Sequence, residues 1–172
     1  MATLDKGHGR SRKPPSIPVQ SSRKTKARLE KPTPATVSVY ARMGELVGQQ
    51  VNSEMDLVVL VRSGLPANSI RTLKDALGLD TELVAPETTL RRRLQDNKPL
   101  TTDETERMIR IARITSLAEA LFEDRDAAHA WLNTPAQYLR GEPAISPIAL
   151  SSTDPGARLV ESMILRTEHG LF

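Results

Sequence analysis

The chain has 172 residues and no cysteine, and its 24 Lys and Arg residues against 21 Asp and Glu give a formal net charge of +3. The absence of cysteine excludes a disulfide framework, a thiolate zinc site and a cysteine nucleophile, which fits a cytoplasmic protein. Its longest aliphatic run, Leu57–Val61, is far shorter than the ~20 apolar residues of a membrane-spanning helix, and the amino terminus lacks the apolar segment of a signal peptide.

Residues 1–36 are predicted to form a disordered basic tail, since they hold five of the twelve prolines and no repeating apolar pattern. Residues 1–35 contain 9 Lys and Arg against 2 Asp and Glu, whereas residues 36–172 contain 15 against 19. A basic tail on a mildly acidic body is typical of a protein with a polyanionic partner such as nucleic acid, although solvated or targeting arms have the same composition.

The first apolar segment, Val37–Val51, is compatible with either a short strand or a poor helix. Beyond it, Ser53 and Asp56 have capping-box spacing and Gly64 suits a helix end. The β-branched run Leu57–Val61 would also suit a buried strand, but the cap favours a helix.

Two short elements follow the turn at residues 64–66. Ile70, Leu73 and Leu77 repeat at helical spacing up to Gly78, which predicts a helix that ends there. A short helical turn is predicted over residues 80–83. Short helices joined by tight connections are typical of a helix-turn-helix unit.

Residues 86–98 are predicted to form a helix that carries three consecutive arginines. Pro86 suits a first helical position, Glu87 suits the positive end of the helix dipole, and Asn97 followed by Pro99 ends the helix.

The faces of this arginine helix follow from a rotation of about 100° per residue. Leu90 and Leu94 share one face and are expected to be buried. The residues that point away from that face are Thr88, Arg92 and Gln95, and those that flank it are Arg91 and Arg93. Such a helix can place outer side chains on base edges and flanking cations on phosphates, although a solvated basic helix has the same pattern.

A long helix is predicted after the capping box of Thr101 and Glu104, reaching Phe122. Its apolar arc is wider than that of a surface helix and comprises Met108, Ile111, Ile114, Thr115, Leu117, Ala118, Leu121 and Phe122. We therefore expect residues 102–123 to join an amino-terminal and a carboxy-terminal domain.

The carboxy-terminal part contains two further predicted helices. One runs over residues 124–133 and carries Trp131, which we expect in the core of a small domain. Residues 135–153 are predicted to be an irregular connection, and Asp154 starts a last helix that Gly170 ends.

No catalytic constellation is evident in the sequence. His8, His129 and His169 lie in no metal-binding spacing, and neither a nucleophile elbow nor a phosphate-binding loop occurs. His129 is interpreted as a surface or half-buried helix residue. We therefore expect a protein that is not an enzyme and uses no cofactor or metal.

From residue 64 onward the sequence resembles the Xre/MbcA/ParS antitoxins, the bacterial partners of RES-domain toxins. The resemblance is carried by Gly64-Leu65-Pro66, residues 86–93, residues 100–104, residues 107–113, Ala118-Glu119, Phe122, Asp126, residues 130–132, Pro135, Gly141, Pro143, residues 154–157, Val160 and residues 168–172. The order and spacing of these motifs are more specific than any one of them. Between Leu79 and Pro86 the chain is shorter than the family's usual first helix and turn.

The resemblance implies an all-α fold with a disordered basic tail. An Xre-like helix-turn-helix DNA-binding domain over residues 37–114 would be joined by the long helix to a small helical toxin-binding domain over residues 115–172, and the tail would occupy residues 1–36.

The resemblance also implies a function. The amino-terminal domain would bind operator DNA and repress the operon, and the carboxy-terminal residues would obstruct the active site of a NAD-degrading RES toxin. The DNA-contacting residues would be Thr88, Thr89, Arg91, Arg92 and Arg93, and the toxin-contacting residues Arg166, Glu168, His169, Gly170, Leu171 and Phe172. The chain would form a homodimer or a higher hetero-oligomer with the toxin.

Two alternatives remain open at this point. The chain could be a stand-alone helix-turn-helix regulator whose carboxy-terminal domain dimerises and binds no toxin. It could also be a structural adaptor whose arginines are solvated.

Overall fold

The structure, a computed structural model, describes residues 34–138 and 140–168. Within these ranges it is helical, which confirms the all-α prediction, and an isolated antiparallel bridge joins Ala136 to Ile145. A single 3-10 turn spans Thr81–Leu83. The α-helices are α1 Pro34–Val47, α2 Glu54–Ser63, α3 Ser69–Leu77, α4 Glu87–Gln95, α5 Thr102–Phe122, α6 Arg125–Asn133, α7 Pro147–Leu150 and α8 Asp154–Glu168.

Local capping determines where several helices begin and end, as the sequence predicts. Ser53 Oγ accepts a hydrogen bond from the Asp56 amide at the start of α2, and Gly64 ends that helix with a positive φ of 77°. At the start of α5, Thr101 Oγ1 accepts from the Glu104 amide while Glu104 Oε2 accepts from the Thr101 amide at 2.7 Å. The capping box therefore satisfies two of the amide donors at the start of α5.

Helix α5 is the centre of the molecule. Helices α1, α2, α3, α6, α7 and α8 all pack against it. Its predicted apolar arc is buried at Met108, Ile111, Ile114, Thr115 and Ala118. A helix covered on several sides in this way holds the amino-terminal and carboxy-terminal helices together, as its wide arc predicts.

The Gly64–Pro66 turn fits closely against the segment that leads into α5. A Cβ atom at Gly64 would lie 2.4 Å from the Leu100 carbonyl oxygen. The Leu100 amide donates to the Leu65 carbonyl at 2.8 Å, and the Leu65 amide donates to Thr105 Oγ1 at 3.1 Å. Only glycine combines the positive φ with this close backbone approach, which explains the residue type at the turn.

Helix α1 begins at Pro34, three residues inside the segment predicted to be a disordered tail. The open segment Val37–Val51 is therefore helical up to Val47 and non-helical after it. Proline is compatible with a first helical turn because its missing N–H would have no partner there. The helix buries Met43, Leu46 and Val47 in the core. Residues 1–33, to which the rest of the tail prediction applies, lie outside the described residues.

The predicted irregular connection over residues 135–153 contains the short helix α7. Ser146 Oγ accepts from the Ala149 amide at 3.4 Å, and Pro147 occupies the first helical turn. Ile148 is buried against the core. The sequence predicts only an irregular connection here, whereas proline can also start a helix.

Trp131 is buried on α6, as predicted, and its ring centroid lies 5.8 Å from that of Phe122 at the end of α5. This aromatic pair joins α5 and α6. The carboxy-terminal core therefore includes one large aromatic contact in addition to its aliphatic residues.

Candidate functional sites

Helix α4 presents one buried and one exposed face, as its sequence predicts. Leu90 is buried, and Leu94 is partly buried and packs against the core. Thr88 and Arg92 are exposed, Thr89 is half-buried, and the Arg91 side chain is 71% exposed. The exposed face of α4 therefore carries a hydroxyl group and two guanidinium groups, which can donate hydrogen bonds to base edges or phosphates. Pro86 lies just before the helix rather than in its first turn.

Arg93 points toward the body of the protein. Its side chain is 19% exposed, and its Nε lies 2.9 Å from Glu104 Oε2. Its Nη1 donates to the Pro99 carbonyl at 3.1 Å. Because Glu104 also caps α5, Arg93 connects α4 to the start of α5. Rotation alone predicts a flanking position for Arg93 but not this partner, which lies eleven residues further along the chain.

The connection between α3 and α4 contains only one turn of helix, Thr81–Leu83, in agreement with the predicted short turn. Asp80 Oδ1 accepts from the Glu82 amide at 2.9 Å and starts the turn. Val84 is buried, and its carbonyl accepts from Arg107 Nη1 at 3.0 Å. The connection is therefore attached firmly to α5 and fixes the direction in which α4 leaves it.

Helix α8 carries the described part of the predicted toxin-contacting segment. Val160 and Ile164 attach the helix to the core, while Arg166 is exposed. Leu159 and Leu165 are also exposed, Leu165 by 45%. Glu168 is the last helical residue, and His169, Gly170, Leu171 and Phe172 lie outside the described residues.

A buried carboxylate, Glu119 of α5, joins three helices. Its side chain is 7% exposed and lies 2.7 Å from Arg42 Nε of α1 and 2.9 Å from His129 Nε2 of α6. A second bond runs from Arg42 Nη2 at 3.1 Å, and Arg125 Nε of α6 lies 3.8 Å away. This contact places His129 in a half-buried, structural position, consistent with one of the two positions predicted for it. The role of Arg42 does not follow from local sequence patterns, because its partner lies 77 residues away.

The charge of Glu119 makes folding stability dependent on pH. Burial opposes ionisation, but hydrogen bonds from Arg42 and His129 outweigh it and lower the pKa of Glu119 below its ordinary value of 4.5. The unfolded chain therefore binds the proton first as pH falls. Stability from the ionised group is present above about pH 4.5 and is lost as pH falls through the folded pKa.

We expect Glu119→Gln to lower the free energy of unfolding at pH 7, where the wild-type carboxylate is charged. The gap in unfolding free energy between variant and wild type should begin to narrow below about pH 4.5 and should close as pH falls through the lowered pKa of folded Glu119, since both side chains are then neutral. Urea unfolding from pH 7 to pH 3 measures this gap. A gap that stays constant over the range would show that the charge of Glu119 contributes nothing.

The described residues contain neither a candidate metal site nor a helix that could span a membrane. No group of three or more His, Cys, Asp or Glu residues there is arranged to hold a metal ion. Among the helices of residues 34–138 and 140–168, none combines the length and apolar character needed to span a bilayer.

Two family models match adjoining parts of the chain. The model described as the antitoxin Xre-like helix-turn-helix domain matches residues 56–113, which include α3, α4 and most of α5. The model described as the antitoxin Xre/MbcA/ParS C-terminal toxin-binding domain matches residues 117–170, which include α6, α7 and α8. Together the two matches account for most of the sequence from residue 56 to residue 170.

Curated proteins that are similar to this chain are also named as antitoxins. The chain is 34% identical over 92 residues to "Antitoxin Xre" of Pseudomonas putida, covering 54% of this chain and 56% of the relative. It is 39% identical over 83 residues to "Antitoxin Xre" of Yersinia enterocolitica, covering 48% and 53%. It is 24% identical over 134 residues to "Prs ADP-ribosylating antitoxin" of Sphingobium, covering 70% and 82%. The chain thus spans only about half the length of the first two relatives.

Both halves of the fold therefore have a counterpart in one group of proteins. The family is one of non-enzymatic regulators, which confirms the expectation that the chain is not an enzyme. With an Xre-like helix-turn-helix followed directly by the toxin-binding domain, the chain belongs to the Xre/MbcA/ParS family of antitoxins.

Proposed function

We propose that this chain neutralises a RES-domain, NAD-degrading toxin by occluding its active site with the carboxy terminus, and that it binds operator DNA to repress its own operon. It acts in the cytoplasm, as a homodimer or as a hetero-oligomer with the toxin. The observation that carries the proposal is the match of residues 117–170 to the family's toxin-binding domain, which includes Arg166 and residues 168–170 of the predicted contact segment.

The geometry of α8 supports the toxin-contacting role. Ile164 is the last buried residue in the part of α8 whose burial the structure describes, and Arg166 beyond it is exposed. Leu159 and Leu165 expose apolar surface on the same helix. The two exposed leucines of α8, with Leu171-Phe172 further along the sequence, offer large apolar side chains of the kind that fill a partner's pocket.

The proposed NAD chemistry of the partner has a further source of support. The name of the Sphingobium relative includes ADP-ribosylation, a reaction in which NAD donates its ADP-ribose group. The RES toxins implied by the family resemblance also consume NAD. The antitoxin itself would touch only the toxin.

The DNA half of the proposal relies on α4. Thr88, Arg91 and Arg92 are exposed on one side of the helix, and Thr89 is half-buried beside them. Arg93 also belongs to the proposed set, although its contact with Glu104 would have to be shared or released on DNA binding. Of the three arginines, Arg92 is the best candidate for a base contact because it points directly away from Leu90.

We expect Arg92→Ala to weaken operator binding by about 1 to 3 kcal/mol while leaving binding to unrelated duplex DNA nearly unchanged, as is typical of a lost base contact. Fluorescence anisotropy with both duplexes at one salt concentration measures the difference. Arg158→Ala is the matched control, since Arg158 is an exposed arginine on α8 and pairs only with Asp154 in the described structure. An equal loss on both duplexes would instead make Arg92 a phosphate contact.

Co-expression with the product of the adjacent gene tests the partner. A stable complex with a RES-domain protein on affinity purification is expected. The absence of any RES-domain gene beside this one, together with specific binding to the promoter, would favour the stand-alone regulator instead.

A further inference from the structure

A second set of cations lies beside the exposed face of α4. An open groove of about 420 Å³ runs between α3 and α4. The residues that line it include Arg71 and Lys74 of α3 and Arg91 and Gln95 of α4. Both α3 cations are exposed. The groove thus brings long basic side chains from two helices to one place, which neither helix alone predicts.

The orientation of α3 explains why these cations face the groove. Ile70 and Leu73 are buried and attach the helix to the core. On another side of the helix, Thr72 lies against Gly48 after α1. Arg71 and Lys74 are three residues apart and therefore share the side of α3 that is turned toward α4.

The charges in the groove are unbalanced. Three cations, Arg71, Lys74 and Arg91, line it together with one carboxylate, Glu87. Glu87 Oε1 lies 3.3 Å from Arg91 Nη2, so it already has a partner. Within the described residues neither Arg71 nor Lys74 forms an ion pair, whereas Arg42, Arg93 and Arg113 all do. Two cations held near each other without a counter-ion favour an anionic ligand.

We propose that Arg71 and Lys74 bind backbone phosphates of duplex DNA next to the segment that α4 contacts. This inference rests on the proposed function, in which α4 approaches operator DNA. The connection before α4 has only a single turn of helix, so α3 is the full helix that precedes α4. In helix-turn-helix proteins the helix before the recognition helix crosses the DNA backbone, which favours a phosphate contact from α3.

Such a contact has a definite thermodynamic signature. Phosphates carry no sequence information, so losing a phosphate contact weakens binding to all duplexes alike. Each neutralised phosphate releases condensed counter-ions and adds about 0.9 to the slope of log affinity against log salt concentration. Two contacts from α3 therefore contribute about 1.8 to that slope.

The experiment compares the full chain with Arg71→Ala/Lys74→Ala and with the control Arg158→Ala. Binding to operator and to unrelated duplex is measured at several salt concentrations, and thermal unfolding of each protein is measured alongside. The double variant is expected to lower the slope by about 1.8 on both duplexes, with an unchanged unfolding temperature because both side chains are exposed. The control should keep the wild-type slope.

Three results would overturn the inference, and they differ in meaning. A double variant with the wild-type slope shows that α3 does not touch the phosphates, even though the chain binds DNA. A wild-type chain that fails to bind any duplex at low salt removes the DNA-binding half of the proposed function, and the α3 contact with it. A loss confined to operator DNA would assign Arg71 and Lys74 to bases and also contradict the phosphate contact.

Discussion

Deletion of Gly170–Phe172 is expected to abolish protection against the toxin while leaving the antitoxin folded. The three residues include Leu171 and Phe172, the large apolar side chains proposed to occupy the toxin's active site. Among the residues of α8 whose burial is described, Ile164 is the last buried one and lies six residues before the deletion, so we expect the core to stay intact. Toxin activity is measured as NAD consumption at increasing antitoxin concentration, and folding by thermal unfolding.

The deletion also separates occlusion from simple binding. The truncated chain should still associate with the toxin through α8, since Leu159 and Leu165 remain, but it should inhibit far less than the full chain. Leu165→Asp is the complementary variant, expected to weaken association by placing a charge in the apolar contact. Full inhibition by the truncated protein would eliminate the occlusion mechanism, whatever the effect of Leu165→Asp.

Glu119→Ala is expected to cause the largest loss of stability among the polar substitutions considered. It removes the acceptor that Arg42, 16% exposed, shares with His129. A partly buried guanidinium then loses its main partner, which costs about 3 kcal/mol. For a chain of this size the loss lowers the unfolding temperature by roughly 6 to 12 °C. Thermal unfolding at pH 7 measures it.

The chain supplies a matched control for this substitution. Glu45 also pairs with Arg42, at 2.7 Å, but its side chain is 62% exposed. Glu45→Ala should therefore cost less than about 0.5 kcal/mol, as exposed ion pairs generally do. Similar losses for the two variants would mean that burial of Glu119 adds nothing and that α1, α5 and α6 are held together by apolar contacts alone.

The sequence predicts those elements whose boundaries are set by neighbouring residues. Ser53 with Gly64 delimits α2, and the Thr101–Glu104 capping box starts α5, because the atoms involved are at most a few positions apart. Helix α1 was ambiguous because its apolar spacing is loose and its helical state depends on packing against α5. Helix α7 was missed because one turn leaves too few residues for a periodic pattern.

In the candidate sites, too, the sequence predicts what depends on neighbouring residues and does not predict what depends on contacts between helices. Exposure of Thr88 and Arg92 was predictable from rotation about the α4 axis. The inward turn of Arg93 was not, since it depends on the carboxylate of Glu104 on another helix. Arg71 and Lys74 were missed for the same reason, because a helix period does not specify which neighbouring helix an exposed face meets.

Neutralisation of the toxin is tested most directly by titrating a purified RES-domain protein from the adjacent gene with the full-length chain and following NAD consumption. NAD consumption should fall to zero when the toxin is saturated with antitoxin, and heat denaturation of the antitoxin should restore it. Undiminished NAD consumption at a large excess of folded chain would contradict the account, even if the chain binds operator DNA.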